Sequence, residues 1–139
     1  MPVVKKILET ALYVNDVALS QEFYERALGF KPIFSEGNRL HALSAGESGQ
    51  VLLLFTKGGS VEATETEGGT IPPHDGDGNL HLAFAIDHAD LESWKAKLAD
   101  SGVLIESVVT AQFGGISLYF RDPDNHLVEL ATPGIWPGY

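Results

Sequence analysis

The chain has 139 residues, which suits one domain or two small modules sharing a core and excludes a multidomain assembly. Apolar residues make up 44% and charged residues 20%, so a real core is expected rather than disorder. A formal net charge of −10 argues against nucleic acid and membrane surfaces as partners, and the absence of Cys removes disulfides, thiolate nucleophiles and Cys-based metal centres.

Taken in chain order, Ile7–Val14 reads as a strand whose alternation sets Leu8, Leu12 and Val14 against Glu9, Ala11 and Tyr13. Val17 to Leu28 repeats its apolar residues at helical spacing, with Asp16 as N-cap and Gly29 just past the end. Three strands follow over Phe30–Ser35, Arg39–Ala45 and Gln50–Thr56, separated by turn-forming Gly-rich stretches. Residues 57–79 hold two Gly-Gly pairs, Pro72-Pro73 and an acidic Gly-rich run, the composition of a loop or linker. The pattern then restarts. Leu80–Asp87 alternates as a strand, with His81, Ala83 and Ala85 on one face, and Asp90 to Ser101 reads as a second amphipathic helix ending at Gly102. Val103–Thr110, Gly115–Arg121 and His126–Thr132 supply three more strands, the last two joined by Asp122-Pro-Asp-Asn.

The expected fold is therefore α+β, two βαβββ modules in tandem: residues 1–56, a linker over 57–79, residues 80–132, and a tail over 133–139. Superposing the halves puts Glu9 and His81 at equivalent places on their first strands, and Leu53 and Glu129 at equivalent places on their last. Small neighbours (Ala11, Ala83, Ala85, Ala131) leave room beside these residues. If Glu9, His81 and Glu129 converge, two carboxylates and an imidazole match a divalent metal such as Mn, Fe, Co, Ni or Zn; otherwise each is a solvated or hydrogen-bonded polar group. Ser117, Tyr119 and Arg121 alternate with Leu118 and Phe120 and so share the face of Glu129. Arg121 either neutralises an anionic substrate group or pairs with Asp122 or Asp124. His74, in the loop before the His81 strand, is either a gate or acid/base residue or a solvated histidine. Trp136 either closes over an apolar pocket or covers a partner subunit. His41, His88 and His126 are read as structural or solvated.

The stretches Leu8-Glu-Thr-Ala-Leu-Tyr-Val-Asn-Asp-Val, Phe23-Tyr-Glu-Arg-Ala-Leu-Gly-Phe, Leu80-His-Leu-Ala-Phe and Tyr119-Phe-Arg-Asp-Pro-Asp-Asn-His-Leu-Val-Glu-Leu resemble the vicinal oxygen chelate superfamily. Its members include glyoxalase I, methylmalonyl-CoA epimerase, extradiol dioxygenases, fosfomycin-modifying thiol transferases and bleomycin-binding proteins. The resemblance implies paired modules forming an incomplete barrel around a metal that chelates two neighbouring substrate oxygens. By position it implies metal ligands at Glu9, where many members have His, at His81, and at Glu129. Leu53 falls where glyoxalase I has a metal-binding Glu and cannot ligate, which argues against that enzyme and for a three-ligand set like that of the thiol transferases and dioxygenases.

Two functions are expected from this. One is a small metal-dependent enzyme acting on an oxygen-rich small molecule, with Glu129, Tyr119 and His74 as catalytic candidates and Arg121, Ser117 and Trp136 as substrate-binding ones. The other is a metal-free binding protein like the bleomycin-sequestering members, for which the acidic charge is suited. Two modules that each expose sheet edges predict a homodimer, and the resemblance leaves two arrangements open: the modules pair within one chain, or they pair across chains so that a metal takes Glu9 from one subunit and His81 and Glu129 from the other. With no leader-like segment and no apolar run near 18 residues, the expected location is the cytoplasm.

Overall fold

Asp16 and Gly29 bound the first helix of the computed structural model, which describes residues 1–139. This helix, α1, runs Val17–Leu28. Asp16 Oδ1 accepts from the backbone N–H groups of Ala18 and Leu19 at 3.0 and 3.1 Å, satisfying donors of the first turn that no carbonyl reaches. Gly29 ends the helix at φ 73°, a left-handed conformation that costs a side-chain-bearing residue roughly 1–2 kcal/mol.

The chain divides into two compact units, Met1–Asp77 and Gly78–Tyr139. In the first, β1 (Glu9–Val14), β2 (Lys31–Glu36), β3 (Leu40–Ser44) and β4 (Val51–Thr56) form one sheet in the order β1-β4-β3-β2. The β1–β4 pair is parallel and the others antiparallel. α1 packs on β2, β3 and β4, and buries Phe23, Tyr24, Ala27 and Leu28. Leu12, Val14, Leu43, Leu52 and Leu54 are also buried, at most 1% exposed. Each such side chain contributes about 1.5–3 kcal/mol relative to exposure.

Residues 57–79 hold more order than their composition predicts. β5 (Thr64–Thr66) and β6 (Gly69–Ile71) pair as a short antiparallel hairpin, and the segment as far as Asp77 belongs to the first unit.

The second unit repeats the first. Its sheet is ordered β7-β10-β9-β8, built from β7 (His81–Ala85), β8 (Ser107–Thr110), β9 (Ile116–Arg121) and β10 (Leu127–Ala131). β7 and β10 are parallel, and the rest antiparallel. The helix α2 (Leu91–Asp100) follows a single 3-10 turn over His88–Asp90 and buries Leu91 and Leu98. Leu118, Phe120, Val128 and Leu130 fill the core of this unit. The eighth strand is shorter than the expected Val103–Thr110: it starts at Ser107, because the chain leaving Gly102 first turns to bury Val103.

Register confirms the internal repeat. Glu9 is opposite Val51 and Ala11 opposite Leu53 in the first sheet, while His81 is opposite Leu127 and Ala83 opposite Glu129 in the second. The same offset places Glu9 with His81 and Leu53 with Glu129. On the antiparallel side, Ala42 faces Leu53 as Tyr119 faces Glu129. No helix is long and apolar enough to cross a membrane.

Candidate functional site

Three neighbouring strands of the second sheet place a polar cluster on the face opposite its core. Glu129 lies on the central strand β10, with Tyr119 directly across on β9 and Ala83 directly across on β7. His81 is two residues before Ala83, and Ser117 is two residues before Tyr119, so both are diagonal neighbours of Glu129 within reach of its long side chain. The Ser117 hydroxyl donates to Glu129 Oε1 at 2.5 Å. Glu129 Oε2 is 3.3 Å from His81 Nε2. The carboxylate thus runs diagonally across β10 from Ser117 to His81, and it is 7% exposed while His81 is exposed. Tyr119 is half-buried, its ring centroid 6.4 Å from that of His81.

The tautomer of His81 follows from its other contact. Nδ1 lies 2.9 Å from the Leu127 carbonyl oxygen, and a carbonyl only accepts, so Nδ1 carries the proton. In the neutral ring Nε2 then presents a lone pair to a carboxylate oxygen. Two acceptors facing one another need a shared proton or a cation between them. A nitrogen and an oxygen donor, with the ring oriented through a backbone carbonyl, form a donor pair suited to a borderline divalent ion. The residues present therefore fit a metal of this kind, although no three His, Asp or Glu side chains of the chain are grouped to hold one.

The remaining predicted residues are distributed as follows. Glu9 is exposed at the start of β1. His74 belongs to the first unit, where its Nδ1 is 2.7 Å from the Tyr13 hydroxyl and its ring packs edge-on against Phe55 at 4.5 Å. Tyr13 was not singled out from sequence, yet its alternation with Glu9 and Ala11 was the signal that put it on that face. Burial, and then the nearby Asp75 carboxylate, raise the Tyr13 phenol above its ordinary value of 10.0. Arg121 pairs with Glu106, Nε to Oε2 at 3.0 Å, rather than with Asp122 or Asp124, and also donates to the Asn125 carbonyl. Glu106 precedes β8 and is brought beside β9 only by sheet pairing, so its spacing in sequence carried no hint of the contact. Trp136 is 72% exposed. His126, by contrast, is fully buried and accepts from the Leu80 N–H at 2.9 Å, a structural role.

With this geometry in view, the chain belongs to the Glyoxalase/Bleomycin resistance protein/Dioxygenase superfamily, whose family model matches residues 6–130. It is 27% identical over 124 residues to the metallothiol transferase FosB of Bacillus licheniformis, covering 88% of this chain and 72% of that protein. The crystal structure of a lactoylglutathione lyase from Agrobacterium tumefaciens is similar with a TM-score of 0.85 and 29% identity, covering 96% of this chain and 97% of that one. A variant of the fosfomycin resistance protein FosX from Listeria monocytogenes, crystallised with Mn(II) and 1S,2S-dihydroxypropylphosphonic acid, shares the fold at a TM-score of 0.65 and 22% identity, covering 93% of this chain and 90% of that one.

Proposed function

We propose that this protein is a small divalent-metal enzyme of the superfamily, acting on an oxygen-rich small molecule, with His81, Glu129 and Glu9 as metal ligands. The observation that carries the reading is the 3.3 Å approach of His81 Nε2 and Glu129 Oε2, a ring nitrogen and a carboxylate oxygen brought together on one sheet. The names of the relatives, a metallothiol transferase and a lactoylglutathione lyase, support a metal and a small-molecule substrate. A Mn, Fe, Co, Ni or Zn ion held by these residues would supply Lewis acidity to the substrate.

The chain's own residues supply the rest. The Leu127 carbonyl keeps His81 in the form whose Nε2 is free to ligate. Ala83 and Ala85, both exposed, leave space beside it for substrate. Tyr119, directly across from Glu129, or His74, hydrogen-bonded to Tyr13, gives or takes the proton in this reading. Recognition of an anionic group by Arg121 requires its pair with Glu106 to open. Because Leu53 cannot ligate, the three-ligand set argues against glyoxalase I chemistry and is more like that of the thiol transferases and dioxygenases. Glu9 is the third ligand in this reading, supplied by the same chain or by the partner subunit of a homodimer.

The test is metal content by plasma mass spectrometry on tag-free, dialysed protein beside a His81→Ala variant. About one equivalent of a divalent metal per chain, lost in a variant that still unfolds cooperatively, supports the enzyme. A metal-free protein whose melting temperature ignores added divalent ions overturns it in favour of a binding protein.

A further inference from the structure

We infer that Ser117 is a positioning residue for the metal-binding carboxylate of Glu129, not a substrate contact; this rests on the metal site proposed above. Its hydroxyl is enclosed, at 3% exposure, and is spent on Glu129 Oε1 at 2.5 Å, so little of it is left for a substrate. That bond fixes one carboxylate oxygen toward the Ala131 end of β10, because Ser117 pairs with Ala131. The other oxygen is left toward His81, which pairs with Leu127 two residues earlier. Without the hydroxyl, the carboxylate is free to rotate about its terminal torsion, which is broad and roughly two-fold, and neither oxygen is held at His81 Nε2.

The internal repeat supplies a control within the same chain. Tyr119 and Ala42 hold equivalent places, so the counterpart of Ser117 is Leu40 and the counterpart of Glu129 is Leu53. Hydroxyl and carboxylate are present together in one sheet and replaced together by leucine in the other. A serine needed only to fill space in that sheet has no reason to track the carboxylate.

The experiment is titration of Mn(II) alone into wild type, Ser117→Ala, Ser117→Thr and Ser117→Cys, followed by calorimetry and by the electron paramagnetic resonance spectrum of the bound ion. Removing an outer partner of a ligand weakens metal binding by about 10–100-fold. Ser117→Ala is expected to show that loss with an altered spectrum, and Ser117→Thr, which keeps the hydroxyl, to restore both. Ser117→Cys keeps the side-chain shape, slightly enlarged, with a weaker donor, so it must also lose affinity, and it decides the matter if the alanine variant fails to fold. Wild-type affinity and spectrum in the variants lacking the hydroxyl overturn the positioning role and leave the metal site standing. Failure of wild type itself to bind Mn(II), and equally Fe(II), Co(II), Ni(II) or Zn(II) titrated in its place, overturns both.

Discussion

Leu53 and Glu129 hold the same register position in two copies of one sheet: each lies opposite an alanine of its parallel neighbour, Ala11 and Ala83, two residues beyond Glu9 and His81. The repeat therefore has four equivalent positions, three of which carry ionisable side chains. His81 and Glu129 meet within the second unit, and Glu9 lies on the sheet of the first.

That division predicts complementation. Glu9→Ala and His81→Ala are each expected to lose bound metal when purified alone. Co-expressed and allowed to assemble at random into dimers with ligands shared across subunits, they should regain about a quarter of the sites, because half the dimers are mixed and each of these has one intact set. Metal analysis of the co-purified mixture reads this directly. No recovery at all would place Glu9, His81 and Glu129 in one chain, and a Glu9→Ala variant that keeps its metal when purified alone would remove Glu9 from the set.

Tyr13 makes alkaline stability a readout of the first unit. Burial and Asp75 raise its phenol above 10.0, so the folded chain keeps this proton longer than the unfolded chain does. The sign follows: its contribution is intact below pH 10 and is lost as pH rises past 10 toward the folded value. Urea unfolding between pH 8 and 11 should show stability falling over the upper part of that range, with a shallower fall in Tyr13→Phe. An unchanged slope in the variant would mean that other groups govern the alkaline limb.

His126 ties the β9–β10 turn to the start of β7. Its buried ring accepts the Leu80 N–H, and the Asp122 carboxylate accepts the His126 backbone N–H at 2.9 Å. His126→Leu leaves the Leu80 donor without its acceptor and should cost about 1–3 kcal/mol of unfolding free energy, measured by denaturant titration. A loss below about 0.5 kcal/mol, the range of ordinary surface changes, would show that water replaces the ring nitrogen.

The ends of α1 give two independent stability tests. Asp16→Ala removes the side-chain acceptor of the first turn and should cost about 1 kcal/mol. Gly29→Ala forces a side chain into the left-handed region and should cost about 1–2 kcal/mol. The sites bound opposite ends of one helix and share no partner, so the double variant is expected to lose the sum of the two.

Much of the architecture was legible before any coordinates. Helix α1 was bounded residue for residue, since a capping carboxylate and a terminal glycine are local signals. The strands fell within a few residues of their positions because alternation over four or more residues is also local. Thr64–Thr66 and Gly69–Ile71 escaped notice because three-residue strands, polar and flanked by Gly68, present no measurable period. Alternation likewise put Ser117, Tyr119 and Glu129 on one face, but not their order of contact. The 2.5 Å bond from Ser117 and the pairing of Arg121 with Glu106 depend on which residues face each other across strands, and hairpin length sets that register.

Residue type, period and repetition were sufficient to define two βαβββ modules, the equivalence of Glu9 with His81, and the gap at Leu53. These are properties of short stretches, where the physics of caps, turns and alternating faces acts over a few residues. The burial of the Glu129 carboxylate, the tautomer of His81 enforced by the Leu127 carbonyl, and the capture of His74 by Tyr13 came only with the folded sheets. Each joins strands or loops separated by many residues, and a side chain acquires its chemistry from whichever neighbours the completed fold places beside it.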